Sequence, residues 1–395
     1  MIIMKGKNVP ELTRQEADIL EWLRDREGEM IDLLRQMVDQ DSPSHMKEET
    51  DRAGIIIENF LREREVATER FEHDSLGFML KAQTGSGSSP HRLLLAHRDT
   101  VFPIGEAGRR PFNITGDLAY GPGVADMKAG LVLNAFILAA FQDLGIPIRV
   151  TGLFSSDEEI GSPFSRDIIT REAKGACCVL NSEPGRMSGN VVTKRKGGRF
   201  MKLLVTGRPA HSGADISKGA SAIEALARKI VKLHALTDHA TGLTVNVGLV
   251  SGGTSVNTSA PSATAGIDLR FVNDAQSQEA MRAINEIVGN TEIEGTAAAL
   301  SIEGEFLPMY ENEETLSLFR TYRACAALVG YAVGHEDTGA CSESGFAQAT
   351  DSPTLCAIGP VGGRAHTPDE YVEVATIVPR TCAAALTLLR HNIDK

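Results

Sequence analysis

Apolar residues recur at helical spacing between residues 14 and 40, at Ile19, Leu20, Leu23, Ile31, Leu34 and Met37, and the pattern returns from Ala53 to Arg64 after an acidic opening. It predicts two helices ahead of the first strong strand. From there the chain alternates. HRLLLAH is a short continuous apolar run, MKAGLVLNAFILAAFQDLG a long apolar helix, IRVTGLFSS a second apolar run and ACCVLNSEP a third. Strands that are apolar at every position must be covered on both faces. Strands of that kind separated by helices predict an α/β fold, a mostly parallel sheet with helices on both faces.

The rhythm changes near Lys194. KRKGGRFMKLLVTGR reads as an exposed strand, GASAIEALARKIVKLHAL as an amphipathic helix, LTVNVGLVSGG and ATAGIDLRFVN as strands, AQSQEAMRAINEIVGN as a helix and TAAALSIEGEF as a last strand. That order, βαββαβ, is a compact α+β unit in its own right. After residue 307 the α/β rhythm resumes with a helix at ETLSLFRTYRACAALVG, a strand at PTLCAIGP and a closing helix at ATIVPRTCAAALTLLRHN. The expected organisation is a catalytic domain in two parts, 1–194 and 308–395, interrupted by an inserted domain at 195–307. A length of 395 residues agrees, since a single core seldom serves that many. GSGSSP at 85–90 reads as a turn, and no repeat of solenoid length is visible.

Composition narrows the function classes. A formal net charge of −12 repels a phosphate backbone, so nucleic acid is not an expected partner. No uninterrupted apolar run approaches the roughly 18 residues of a membrane helix, and no membrane association is expected. The opening MIIMKGKNVPELTRQEAD turns polar before any signal-like core, which predicts a cytoplasmic address. The six cysteines lie at 177, 178, 325, 341, 356 and 382 without a CxxC pair, a pattern of reduced thiols.

In an open parallel sheet, ligands bind beyond the carboxyl ends of the strands. The chemically suggestive residues cluster there. His97 and Asp99 end LLLAH, Asp126 precedes the long helix, Glu158 and Glu159 follow TGLFSS, Glu183 follows CCVLNS and His366 follows LCAIGP through a glycine-rich loop. Singly, each has an ordinary explanation: a satisfied polar histidine, a helix cap at Asp126, a solvated acidic turn. Those explanations are independent of one another, whereas a metal centre requires all of these residues at one edge. Imidazoles and carboxylates are the N and O ligands that Zn²⁺ accepts.

The segments LLLAHRDTVFP, AYGPGVADMKAG, SSDEEIGS, NSEPG and RAHTPDEYV resemble the successive motifs of the acetylornithine deacetylase, succinyl-diaminopimelate desuccinylase and glutamate carboxypeptidase family of dizinc hydrolases. The resemblance runs from about residue 30 to the end. SRDIITREAK, GRPAHSGADISKGASAIEAL and SATAGIDLRF are similar to the folate-hydrolysing bacterial glutamate carboxypeptidases within it. It implies two Zn²⁺ per chain, with Co²⁺ or Mn²⁺ as substitutes. Asp126 would bridge them, His97 and Glu183 would complete one site, and Glu159 and His366 the other. Glu158 would be the general base, since it is the neighbour of a ligand and itself free to take a proton. Asp99 would orient the His97 imidazole.

The inserted domain resembles the family's lid and dimerisation domain, which implies a homodimer in which His211 of PAHSG reaches the partner's site. Asn257 and Arg270 match positions that hold the substrate's free carboxylate, a role to which a guanidinium fork is suited. The implied reaction is cleavage of the amide of a small N-acyl amino acid or short peptide to release a C-terminal amino acid. Glu343 stands in TGACSESGFA where the family has Asp, which bears on side-chain preference, as do Lys194, Arg195 and Lys196. Two enzymatic alternatives, an N-acyl-amino-acid deacylase and a short-peptide aminopeptidase, belong to the same family. A metal-binding relative without catalysis is the non-enzymatic one, against which the retention of Glu158 beside a full ligand set argues.

Overall fold

The computed structural model describes residues 12–85 and 91–391. The turn expected at 85–90 and the opening residues that bear on localisation lie largely outside them. The chain divides into two compact units, one of residues 1–194, 310–337 and 346–395, the other of 195–309 and 338–345.

The larger unit is built on a six-stranded sheet in the order Ala67–Phe71, Met79–Thr84, Val150–Ser155, Arg92–His97, Cys178–Asn181, Thr354–Leu355. The first two pairings are antiparallel and the last three parallel. The two antiparallel strands were not visible in the hydrophobic pattern. Ala67–Phe71 is largely solvent-exposed and so carries no apolar run. The run from 14 to 40 is two helices, Arg14–Arg24 and Glu27–Val38, because Arg26 between them has non-helical backbone (φ −110°, ψ 21°). Each buries its own stripe, Ile19, Leu20 and Leu23 in one and Met30, Leu33, Leu34 and Met37 in the other. A third helix, Lys47–Arg62, completes this layer.

The helix Ala129–Asp143 is apolar all round because it is buried all round. The segment Val124–Asp143 is long and apolar enough to cross a membrane, and 94% of its apolar window is packed inside the unit. Its buried amide Asn134 ties it to the sheet: Nδ2 donates to the Leu95 carbonyl at 2.9 Å and Oδ1 accepts from the Ser182 hydroxyl at 2.6 Å. Gly130 permits the close approach, since a Cβ there would lie 1.9 Å from the Ser182 carbonyl oxygen. The helix start is thereby held against the carboxyl ends of two strands.

The smaller unit has the order βαββαβ. Its antiparallel sheet runs Thr244–Gly252, Ser262–Phe271, Gly197–Thr206, Ala297–Phe306, and helices Ala222–His234 and Asp274–Gly289 bury Met201, Leu203, Val205, Ile267 and Leu269 beneath them. Residues 338–345, expected with the larger unit, pack with this one, where the Cys341 carbonyl accepts from Arg195 Nη1 at 2.9 Å.

Candidate metal centre

Three parallel strands end side by side in the larger unit. His97 pairs with Ser155, Leu95 with Asn181, and the Ser182 N–H donates to the Leu95 carbonyl at 3.0 Å. Residues just past these ends therefore emerge at one edge, where the helical cover stops and polar side chains are tolerated. Asp99, Glu158, Glu159 and Glu183 all leave the sheet there.

Asp99 is fully buried and organises two of these exits. Its Oδ1 accepts from the Glu158 N–H at 3.2 Å and its Oδ2 from the Glu159 N–H at 3.1 Å and the Ser44 hydroxyl at 2.7 Å. His97 Nδ1 lies 3.0 Å from the Asp99 carbonyl oxygen and 3.4 Å from Oδ1. Both are acceptors, so Nδ1 carries a proton and Nε2 is the ring nitrogen that faces the site.

Asp126 sits in the turn Val124–Lys128 that precedes the central helix. Its two carboxylate oxygens face different imidazoles, Oδ1 at 3.2 Å from His97 Nε2 and Oδ2 at 3.4 Å from His366 Nε2. His366 Nε2 is also 3.1 Å from Glu159 Oε2. His366 comes from a loop and takes a left-handed backbone conformation (φ 64°), which is costly for a side chain with a Cβ and is found where the surroundings demand it. Glu158 Oε2 stands 3.9 Å from His97 Nε2. The ligand atoms of His97, Asp126 and Glu159 lie within 4.8 Å of one another. Glu183 is buried and is placed by strand register, two residues beyond Asn181 as His97 is two beyond Leu95.

Charge in this cluster is concentrated and, apart from the half-exposed His366 side chain, little solvated. Burial pushes the Glu159 carboxyl up to about 7 despite its bond to His366. Contact with Asp126 and Glu159 raises the His366 imidazole to about 11. His97 is raised too, its carboxylate neighbours Asp126 and Asp99 outweighing burial, and Asp126 is lowered by the two imidazoles although burial opposes this. The carboxylates thus draw protons onto the histidines, which is how a cation site behaves toward the nearest available cation. Glu159 Oε1 is buried with no hydrogen-bond partner, an arrangement that is costly unless a cation takes the lone pair. Two imidazole nitrogens, a carboxylate with both oxygens engaged and an orphaned carboxylate oxygen fit divalent metal of the zinc type.

In the smaller unit the structure pairs the segments that carry His211 and Asn257. His211 lies opposite Thr258, and the Ser212 N–H donates to the Asn257 carbonyl at 2.9 Å. His211 is exposed, and its Nδ1 accepts from the Gly213 and Ala214 N–H groups, each at 3.2 Å. Arg270 points from the sheet face opposite the helices, its Nε donating to Asp268 at 2.9 and 3.0 Å, Nη1 to the Cys341 sulfur, its guanidinium 5.2 Å from the Phe200 ring centre. Glu343 is buried in the same unit. Of the basic residues at the boundary, Lys194 pairs with Asp337 at 3.3 Å and Lys196 Nζ donates to the Gly242 carbonyl at 2.5 Å.

Two contributors escaped the sequence reading. Ser44 lies in a polar loop and had no local signal. Glu370 stood in the motif RAHTPDEYV, four residues after His366, and that spacing was the available clue.

A family model described as Peptidase family M20/M25/M40 matches residues 93–390. The chain belongs to this family of metallopeptidases and amidohydrolases, and it is a hydrolase acting on peptide or amide bonds. It is 26% identical over 378 residues to carboxypeptidase G2 of Pseudomonas sp. (strain RS-16), covering 94% of this chain and 91% of that one. It is 27% identical over 378 residues to acetylornithine deacetylase of Proteus mirabilis (strain HI4320), covering 88% and 93%. Among solved structures, an M20 family metallo-carboxypeptidase from Sulfolobus solfataricus superposes with a TM-score of 0.77 at 16% identity, covering 92% of this chain and 99% of that one, and shares the fold.

Proposed function

We propose that this chain is a dizinc carboxypeptidase-type amidohydrolase that cleaves the amide of an N-acyl or peptidyl amino acid and releases the C-terminal amino acid. The observation that carries the reading is the Asp126 carboxylate, whose oxygens address His97 on one side and His366 on the other, as a group shared by two cations would. His97 and Glu183 would hold one ion, Glu159 and His366 the second, with Asp126 common to both. Bound divalent cations would supply Lewis acidity and bring the pKa of bound water down toward neutrality.

The chain's own residues supply the rest. Glu158 takes the proton of the attacking water and hands it to the departing nitrogen, a task for a carboxylate at the cluster's edge rather than one committed as a ligand. His211 accepts backbone N–H bonds at Nδ1, so its neutral ring donates through Nε2, the form suited to a developing oxyanion. Arg270 and Asn257 take the free carboxylate of the substrate. The preference for release of an amino acid with a free carboxylate leans on carboxypeptidase G2. The similarity to acetylornithine deacetylase makes a deacylase the second reading, and both use the same centre.

A homodimer through the smaller unit is part of the proposal. Strand Thr244–Gly252 is an edge of its sheet and exposes Leu249 and Val250, while the adjoining helix exposes Ile223 and Val231. An apolar unpaired edge of that kind calls for a partner. A panel of N-acyl amino acids and short peptides, read by amine release with and without added Zn²⁺, tests the assignment. Release only of an N-terminal amino acid, or no Zn²⁺-dependent release from any member, overturns it.

A further inference from the structure

Glu370 is fully buried, and its carboxylate is spent on one loop. Oε2 accepts from the Gly123 N–H at 3.0 Å, and Oε1 accepts from the Ala125 N–H at 2.8 Å and the Asp126 N–H at 2.9 Å. Gly123 is left-handed (φ 74°), which lets the N–H groups of this turn converge on one anion in the manner of a backbone nest. The nest is filled by a side chain 244 residues away in the chain from Asp126.

Glu370 is also tied to the other candidate ligand loop. Its N–H donates to the Thr367 carbonyl at 3.2 Å, and Thr367 donates to the Arg364 carbonyl through both its N–H (3.2 Å) and its hydroxyl (2.7 Å), so His366 lies inside this hydrogen-bonded turn. Immediately afterwards Tyr371 pairs with Tyr120, which sets Glu370 beside the start of the Gly121–Asp126 loop. One carboxylate thus joins the turn that carries His366 to the turn that carries Asp126.

We propose that Glu370 is a positioning residue for the metal centre: it locks the Asp126 and His366 loops into one geometry before any cation arrives, and so sets metal affinity. The inference rests on the metal reading above. The alternative is a purely structural anchor, which would lower stability and leave the cation's surroundings unchanged. Glutamine is nearly isosteric, but its NH₂ must face one of the three N–H donors, and two donors cannot pair.

The test is Zn²⁺ affinity of wild type and Glu370→Gln by competition with a chromophoric chelator, together with the visible absorption of the Co²⁺-loaded forms. The expected result is affinity weakened by about 10- to 100-fold and an altered Co²⁺ spectrum, as for other groups that hold ligands in place. Unchanged affinity and spectrum in a folded variant overturn the inference. Wild-type protein that binds no Zn²⁺ or Co²⁺ overturns the metal reading instead, so the two failures are distinct. A measurement on wild-type protein keeps the inference exposed should the variant not fold. In the metal-free protein the amides of Ala125 and Asp126 are expected to be protected from hydrogen exchange, and fast exchange there overturns it.

Discussion

Asp99 Oδ2 accepts the backbone N–H of Glu159 at 3.1 Å, so a residue leaving one strand fixes a candidate ligand leaving the next. Because Oδ1 of the same carboxylate holds the Glu158 N–H, the main chain of the acidic pair is anchored independently of the two glutamate side chains. Glu158→Gln is therefore expected to keep its backbone and its metal while losing the proton acceptor. Turnover should fall by about 10²- to 10⁴-fold. Metal content by atomic absorption alongside kcat checks this, and normal turnover in a metal-replete variant removes Glu158 from the chemistry.

Chelation should abolish activity, and readdition of Zn²⁺ should restore it with about two ions per chain. Loading should also release protons, because His366 is held protonated by Asp126 and Glu159, and Glu159 itself is raised to about 7. Titration of metal-free protein in weak buffer near pH 6.5 measures this directly. A fully active metal-free preparation would sink the assignment.

If His211 acts across a dimer, neither a His211→Ala nor a Glu158→Ala homodimer should turn over substrate, and mixed dimers should recover part of the activity. Subunit exchange followed by activity assay checks it. A monomer at assay concentration, or exchanged mixtures that stay inactive, counts against the arrangement.

Arg270 spends its Nε on Asp268 and Nη1 on Cys341, leaving Nη2 as the end of the fork available to a substrate carboxylate. Esterified or amidated substrates should lose about 2–5 kcal/mol in kcat/KM, the cost of breaking a buried charge pair. Arg270→Lys should be poor on every free-acid substrate, since an ammonium on a flexible stem lacks the planar geometry by which the guanidinium holds Asp268 and Cys341 and still aims Nη2 at the substrate. Asp268→Asn should raise KM more than it lowers kcat. Equal cleavage of amidated and free-acid substrates would make Arg270 structural.

Arg390 Nε and Nη2 grip the Glu16 carboxylate at 2.5 and 2.7 Å, clamping the first described helix to the last. The guanidinium holds Glu16 below its ordinary value of 4.5. A carboxyl lowered by folding adds stability that is present above its unfolded value and lost as pH falls through its folded one. Glu16→Gln should cost about 2 kcal/mol at pH 7, in the range of a hydrogen-bonded charge pair. The gap in thermal stability between variant and wild type should narrow once the pH falls below 4.5 and close as it passes through the lowered folded value of Glu16. A gap independent of pH would mean that the pair contributes packing alone.

Much of this protein was determined by local pattern. The runs LLLAH, TGLFSS and CCVLN show no alternation of apolar and acidic or basic positions, which dictates strands covered on both faces, and the strands Arg92–His97, Val150–Ser155 and Cys178–Asn181 are buried throughout; carboxylates soon after such runs can only stand at the sheet's carboxyl edge. That logic singled out His97, Glu158, Glu159 and Glu183 without coordinates, while Asp126 before the long helix and His366 in the loop after LCAIGP were singled out as polar residues near the same edge. The inserted βαββαβ unit was legible for the same reason, since its strands alternate where one face lacks helical cover. What stayed hidden has no local period. The strand Ala67–Phe71 is exposed on both sides and leaves no apolar trace. The move of residues 338–345 into the smaller unit depends on contacts with Arg195 and Arg270, made more than 65 residues away in sequence. The bonds from Ser44 to Asp99 and from Glu370 to the Asp126 turn are of that kind as well. A hydrogen bond between distant segments follows from the register of strands and the closure of loops, and only the assembled tertiary structure decides which donor meets which acceptor.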